Sequence, residues 1–321
     1  MHNCLVGSEM CIRDRIVLDE EEESLLITPY VHPNAEAPTI RKIGYESRYF
    51  EPTCIKDKGE LNATDGLVRM AGEDPGNLSK ASNRIQVKYY DMIKNAKKRY
   101  MYRLEEMAAQ IVKNAQLVVH PDKGQNYVID FARHTDLKPV LQSSEYWSNK
   151  TTDVMGQIED WAGKVLEHSG GVITSIVMGT KAYAWMRGNE KFKELYNLNA
   201  GYRTNLLIDP EKPVEGIVYK GKFGEYDIYV HSSRYKDPHD NQTKSIVAPN
   251  EVVLLSSALK GNRHFAVIKD LEAGLRPMDY FMKSWEKKEP SSRFIKLESH
   301  PLLLLRGKQA VNGAMTVKVG A

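Results

Sequence analysis

A single apolar stripe through residues 78–115 constrains the fold more than any other feature of this sequence. Apolar side chains recur there every three or four residues, which is the period of an α-helix. The stripe consists of Ile85, Tyr89, Met92, Ala96, Tyr100, Leu104, Met107, Ile111 and Ala115. At about 1.5 Å per residue, it predicts a rod on the order of 50 Å long. Because the stripe is narrow, we expect the helix to lie along a sheet or a neighbour rather than inside a bundle.

The opposite face of this predicted helix is basic, with Asp91 as its one acidic residue. Its cations are Arg84, Lys88, Lys94, Lys97, Lys98, Arg99 and Arg103. Such a face is typical either of a solvated surface or of a surface that binds nucleic acid, and the pattern leaves both interpretations open.

Prolines divide residues 25–61 into short extended pieces. Pro29, Pro33, Pro38 and Pro52 exclude a continuous helix, because proline lacks the backbone N–H and clashes with the preceding turn. The β-branched and aromatic residues between them predict two long strands of a hairpin. Too few large apolar residues are present to bury a face, so we expect an arm that lies on a neighbouring copy.

The rest of the chain alternates helices and strands, which predicts an α+β fold with a mixed sheet. Strands are expected at 117–119, 127–129, 172–178, 226–230, 252–255, 265–268, 293–297, 302–305 and 315–319. A helix is expected at 153–168, and a second one contains Ala182, Trp185 and Met186.

Composition excludes several classes of protein. The 321 residues are 41% hydrophobic and 27% charged, which is ordinary for a globular protein and unlike a disordered chain. The 45 Lys and Arg against 42 Asp and Glu give a net charge of +3, too small an excess for a histone-like protein. The longest apolar run, 302–305, is far too short to span a membrane.

Phosphate-loop, dinucleotide, nucleophile-elbow and zinc-protease motifs are all missing from the sequence. Residues 221–224 superficially resemble a phosphate loop, but they are expected to join two strands rather than to open a helix. His231, His239 and His264 match no zinc spacing. We therefore predict no catalytic centre, cofactor or metal.

The remaining candidate residues have simple structural interpretations. Cys54 is interpreted as a small apolar residue of the arm rather than a nucleophile. The pair Glu105 and Glu106 is interpreted as helix surface rather than as a catalytic acid and base. The four tryptophans are interpreted as packing residues.

Residues 1–15 differ in composition from the rest of the chain. Codons can be written for 4–14 that resemble a transposase adapter used in sequencing, so this segment is predicted to be an adapter artefact with no packed structure. Cys4 and Cys11 would then be accidental, leaving Cys54 as the native cysteine.

Five segments in register resemble one protein family. They are EDPGNL at 73–78, SIVMG followed by AYAW at 175–185, YKGKFGEYDI at 219–228, PN before VVLL at 249–255, and FIKLESHPLLLL at 294–305. Together they resemble the lambda-type phage major capsid proteins, the family often called capsid protein E.

The resemblance implies the tailed-phage major capsid fold. It implies an extended β-hairpin loop at 16–72, and a peripheral domain with a spine helix at 73–150 and 271–321. It also implies an axial domain with a mixed sheet at 151–270.

For function, the resemblance implies a major head protein, not an enzyme. Its copies would form pentamers and hexamers of an icosahedral shell around double-stranded DNA, bound without sequence specificity. Scaffold, portal and head-decoration proteins are the implied partners, with assembly in the host cytoplasm and no membrane. Two alternatives stay open: a nanocompartment shell protein of the same fold, and a nucleic-acid-binding protein that uses the basic helix face.

Overall fold

The computed structural model describes residues 8–10, 16–21, 45–73, 80–121, 125–199, 216–238 and 240–320. Its helices are α1 (Ala81–Asn114), α2 (Val154–Ser169), α3 (Thr180–Gly188), α4 (Glu190–Asn199) and α5 (Gly307–Val311). Short 3₁₀ helices span Ala63–Gly66, Thr135–Leu137 and Ser143–Glu145. The first strands are β1 (Ser8–Met10), β2 (Ile16–Glu21), β3 (Tyr45–Phe50), β4 (Ile55–Asn62), β5 (Gln116–Val119), β6 (Tyr127–Asp130), β7 (Ile173–Met178), β8 (Ile217–Phe223) and β9 (Tyr226–His231). They are followed by β10 (Arg234–Lys236), β11 (Thr243–Ser245), β12 (Glu251–Ser256), β13 (Gly261–Phe265), β14 (Phe281–Lys287), β15 (Ser292–Ser299), β16 (Pro301–Leu305) and β17 (Ala314–Lys318). The α+β class is therefore confirmed.

The predicted long helix is α1, whose 34 residues make a rod about 50 Å long. It ends where Ala115 turns left-handed, with φ of 51°, and its N–H donates to the carbonyl of Ile111. In the first half of α1 the one buried apolar residue, Ala96, belongs to the predicted stripe, which the buried Tyr100 continues into the second half. The stripe therefore sets which side of this half faces the protein.

The second half of α1 departs from the narrow-stripe prediction. Ala108, Ala109 and Val112 lie outside the stripe and are buried together with Leu104 and Ile111. This end of the helix is therefore enclosed on more than one side by the antiparallel strands β5 and β6 and by the leucines of β16.

A mixed sheet of five strands, ordered β17-β12-β7-β9-β8, forms the centre of the described fold. β7 and β9 run parallel, and the other neighbours are antiparallel. Its interior strand β12, between β17 and β7, is buried at every residue. A strand buried on both faces needs no polar alternation, which explains its continuous apolar run.

The two faces of this sheet belong to two different cores. Val253 and Leu255 of β12 face the core that contains α1 and β16. The alternate residues, Val252 and Leu254, face the core formed with α2 and α3. The sheet therefore holds the spine helix on one side and two shorter helices on the other.

The pairing of the arm differs from the prediction of one hairpin within 25–61. β3 pairs antiparallel with the earlier strand β2, so a hairpin exists but spans 16–50. β4 pairs instead with β15, which in turn pairs with β14. Thr53 fixes this placement, since its backbone N–H donates to the carbonyl of Pro301. The predicted residues 25–44 lie outside the described residues.

Residues 1–15 were expected to have no packed structure, and this is wrong at β1. The three residues of β1 run parallel to β13, with Glu9 opposite His264. β13 is the central strand of this small sheet, with β16 on its other side.

Two strands cross the predicted domain boundaries. β17, expected in the peripheral domain, is an edge strand of the central sheet beside β12. β13, expected in the axial domain, pairs with β16. The position of each strand is determined by its pairing with a distant segment. The periodicity of a sequence does not encode such pairing. Elsewhere the division at 73–150, 151–270 and 271–321 stays a prediction.

Candidate assembly surface and polar clusters

Exposed apolar side chains occur on the first half of α1 and on the segment packed on it. Leu67 and Val68 follow the 3₁₀ helix at 63–66 and are 74% and 61% exposed, while Tyr90 of α1 is 68% exposed. The Lys88 ammonium donates to the carbonyl of Asp65 at 2.6 Å, which holds that segment on α1. We call Leu67, Val68, Val87 and Tyr90 the α1 surface. Exposed apolar surface of this kind is typical of a contact with another protein.

Four cations of the predicted basic face are already paired with carboxylates. Arg99 Nε lies 2.7 Å from Asp57 Oδ2, and Lys88 Nζ lies 3.4 Å from Asp65 Oδ1. Arg103 pairs with Glu106 at 3.1 Å, and Arg84 Nε pairs with Glu73 Oε1 at 3.0 Å. These pairs cancel much of the positive field that a nucleic acid would meet.

Two residues of α1 are buried although a surface position was predicted. Arg84 is only 6% exposed and donates to the carbonyl of Gly66 as well as to Glu73. Glu106 is 7% exposed and accepts from Arg103 and Gln110, so the helix-surface interpretation is wrong for it. Each buried charge is stabilised by its partners rather than by water.

A cluster at the start of β4 joins Cys54, Glu298 and His300. Cys54 Sγ lies 3.8 Å from His300 Nε2, which lies 3.0 Å from Glu298 Oε1. Cys54 is exposed, and the interpretation as a small apolar residue rather than a nucleophile stays a prediction. The strand register explains the cluster, because Ser299 lies opposite Ile55 and the residues on either side share one face.

Charges within this cluster shift three pKa values. The hydrogen bond to His300 lowers the pKa of the Cys54 thiol, and the same contact raises the pKa of His300. Burial opposes ionisation of Glu298, but hydrogen bonds from Lys296, His300 and Lys56 outweigh it and lower its pKa to about 2. Glu298 is therefore a carboxylate held between cations.

The cluster lacks the geometry of a cysteine nucleophile. In a catalytic triad, the carboxylate orients the imidazole from the ring nitrogen opposite the nucleophile. Here Cys54 and Glu298 approach the same nitrogen, Nε2 of His300. Sequence reasoning missed Glu298 and His300, although their alternation across Ser299 could have placed them on one face of a strand.

The other candidate residues do not come together as a site. His231 ends β9 in the central sheet, whereas His264 lies in β13 of another sheet, and both are buried. His239 lies outside the described residues. Residues 221–223 end β8 and Gly224 begins the turn into β9, so the segment lies between two strands, as predicted, and opens no helix. Trp147 and Trp161 are buried and stacked in one core, which confirms their packing role.

Within the described ranges, none of the helices has both the length and the apolar character needed to cross a bilayer.

Solved structures with the same fold come from phage particles and prophages. A proposed capsid protein of a prophage in Escherichia coli CFT073 superposes with a TM-score of 0.67, at 22% identity, over 86% of this chain and 80% of that one. The capsid of cyanophage P-SCSP1u superposes with a TM-score of 0.52, at 11% identity, over 98% of this chain and 85% of that one. The fold, and the class that it defines, is therefore the tailed-phage capsid fold.

Sequence comparison identifies the family within this class. The P21 prophage-derived major head protein of Escherichia coli O6:H1 is 23% identical over 296 residues, which are 91% of this chain and 86% of the relative. The major capsid protein of Enterobacteria phage P21 gives the same values. The profile described as phage major capsid protein E matches residues 7–312. This chain belongs to that family and is a phage major capsid protein, as the resemblance implied.

Proposed function

We propose that copies of this chain assemble into pentamers and hexamers of an icosahedral shell that encloses double-stranded DNA. The observation that carries the proposal is the match to the capsid protein family over residues 7–312. A shell protein acts through its contacts with copies of itself. Contacts between different patches of identical subunits close into rings when their rotation permits.

Two features of the subunit suit such contacts. The hairpin β2–β3 pairs only with itself among the described strands, so it is free to lie on a neighbour. The α1 surface offers apolar side chains that a neighbouring copy would bury. Burying them is favourable by about 25 cal/mol per Å², so modest contacts repeated around a shell add up.

The chain's partners and location follow from the same proposal. Scaffold, portal and head-decoration proteins would bind the assembled shell, in the host cytoplasm and then in the virion. The packaged DNA would touch the inner surface without sequence-specific binding, which the near-neutral charge of +3 supports. The chain would work without catalysis.

Imaging the assembled product tests the proposal. The full chain is expressed alone and with the scaffold gene of its source, and the products are examined by sedimentation and electron microscopy. We expect closed particles of uniform size. A subunit that remains monomeric at high concentration in both preparations would contradict the proposal.

Substitutions at the α1 surface test whether it contacts a neighbouring copy in the shell. Leu67→Asp with Tyr90→Asp should leave the melting temperature unchanged and prevent assembly, because a neighbour would have to bury two carboxylates. Val140→Asp is the matched control, since Val140 is 93% exposed and lies outside the α1 surface. If the double variant assembles as well as the control does, the α1 surface is not the contact.

A further inference from the structure

Three polar side chains converge beside the C-terminal end of α2. His134 Nδ1 lies 3.4 Å from Asp136 Oδ2, and His168 Nε2 lies 3.3 Å from the same oxygen. The two imidazole rings stack with their centroids 4.0 Å apart. One ligand atom from each residue lies within 4.8 Å of the other two. We propose that His134, Asp136 and His168 bind one divalent transition-metal ion of the zinc or nickel type.

The spacing of these donor atoms fits such an ion. Zinc binds imidazole nitrogen and carboxylate oxygen at about 2.0–2.2 Å in tetrahedral geometry, so neighbouring donors around it are separated by about 3.3–3.5 Å. The two nitrogen–oxygen separations already have this value. Because the two rings are stacked, the half-exposed His134 ring must rotate before both nitrogens can point at the same centre. Three protein donors leave a fourth position for water.

Packed elements hold the donors from both sides. His134 caps the 3₁₀ helix Thr135–Leu137, whose Leu137 is buried in the core. His168 lies in the last turn of α2, which the buried Val165 anchors to the same core. The backbone N–H of Asp136 donates to the lone pair of His134 Nδ1 at 3.4 Å, and a bound ion would replace this long hydrogen bond. The site therefore needs little ordering when it binds an ion.

Charge distinguishes this cluster from Cys54, Glu298 and His300, which also bring three donor atoms together. There Glu298 is bound by Lys56 and Lys296, and both ammonium groups would repel a cation. Asp136, by contrast, forms ion pairs with the two histidines and with no lysine or arginine of the described chain. The donor set also favours transition metals over Mg²⁺ and Ca²⁺, which prefer oxygen ligands.

Calorimetric titration of the full chain with ZnCl₂ tests the proposal, with MgCl₂ as a second probe. The wild type should bind one Zn²⁺ at this site and be stabilised thermally by it, while Mg²⁺ should produce no shift. His134→Asn with His168→Asn should weaken Zn²⁺ binding by about tenfold or more. Asp136→Asn, at an exposed position, is a milder variant that should also weaken binding.

Two matched controls separate this site from other donors. His120→Asn replaces an exposed histidine elsewhere, and Cys54→Ser removes the thiolate of the other cluster; both should bind Zn²⁺ like the wild type. The proposal is overturned if the folded wild type binds Zn²⁺ no better than the double histidine variant. It is equally overturned if Cys54→Ser, rather than the histidine substitutions, abolishes binding.

Discussion

Arg133 places a buried guanidinium between the end of α1 and α5. It is 4% exposed, and its nitrogens donate to the carbonyls of Val311, Lys113 and Val112 at 2.8–2.9 Å. The last carbonyls of a helix have no partner within the helix, so Arg133 satisfies two of those left at the end of α1. Burial lowers its pKa to about 10, which still leaves it charged.

Replacing this guanidinium should be costly. Arg133→Met leaves three carbonyls without their donor and should lower the free energy of unfolding by about 3–5 kcal/mol. Arg133→Lys should recover only part of this loss, because an ammonium cannot span all three carbonyls. Arg187→Met, at an exposed position of α3, is the control and should change stability by less than about 0.5 kcal/mol. Urea unfolding measures all three, and equal losses for Arg133→Met and the control would contradict the capping role.

His231 makes stability depend on pH. It is 2% exposed, and its Nδ1 has no hydrogen-bond partner among the described residues. Burial lowers its pKa from 6.5 to about 4. Between those pH values the unfolded chain takes up a proton that the folded chain does not, so stability falls as pH falls through this window.

Replacing His231 with a residue that does not titrate isolates its contribution to the pH dependence of stability. From pH 7 to pH 5 the wild type should lose about 2 kcal/mol more than His231→Leu, at about 1.4 kcal/mol for each pH unit below the unfolded pKa. Urea titrations at both pH values measure the free energy of unfolding of each protein. The contributions of the other titrating groups cancel when the wild type is compared with His231→Leu. His120→Asn should behave like the wild type. Parallel losses in the wild type and His231→Leu would contradict the assignment.

At the scale of elements, the turn from β7 into α3 depends on a glycine. A methyl group on Gly179 would lie 2.0 Å from the carbonyl oxygen of Ala248 and 2.5 Å from that of Pro249. These are backbone atoms, which cannot rotate away as a flexible side chain would. Gly179 follows the SIVM segment of the family resemblance, so this close approach gives the glycine in that motif a physical reason.

Two glycine substitutions should therefore act in opposite directions. Gly179→Ala should destabilise the protein by about 2–3 kcal/mol because the two backbones must separate. Gly163→Ala, in the interior of α2, meets nothing within 4 Å and should stabilise it by up to about 1 kcal/mol through helix propensity. Thermal unfolding of both variants shows whether each substitution raises or lowers the stability. A neutral Gly179→Ala would show that the turn tolerates a side chain.

Elements were predictable from sequence where their own periodicity defines them. α1, α2, β7 and β12 carry apolar patterns that encode both their type and their buried faces. α4 and β14 were missed because they are largely polar. The pairing of β4 with β15 was missed as well, since the two lie some 230 residues apart and an alternating pattern names no partner. The proximity of His134 and His168 was not predictable either, because it depends on how α2 packs and not on a local sequence pattern.

At the scale of the whole molecule, the central sheet couples the two cores. β12 contributes alternate residues to each core, so neither core can loosen without disturbing the strand they share. This argues against treating the predicted axial and peripheral units as independently stable.

The pairing of charges along α1 determines how strongly DNA binding by the unassembled subunit depends on salt. Seven unpaired cations would give a slope of about −6 when the logarithm of the binding constant is plotted against that of the salt concentration. At least four of the seven are paired with carboxylates, so no more than three remain to neutralise phosphates. We therefore expect a slope of about −3 or shallower for this face.

Fluorescence anisotropy of a labelled duplex, titrated with unassembled subunit at several salt concentrations, measures this slope. Asp57→Asn with Glu106→Gln releases Arg99 and Arg103 from their partners, and should steepen the slope by about two because two more phosphates are neutralised. The reverse variant, Lys94→Gln with Lys97→Gln, should flatten it. A wild-type slope near −6 that the acidic substitutions leave unchanged would mean that the ion pairs do not shield the face. The nucleic-acid-binding alternative would then regain its support.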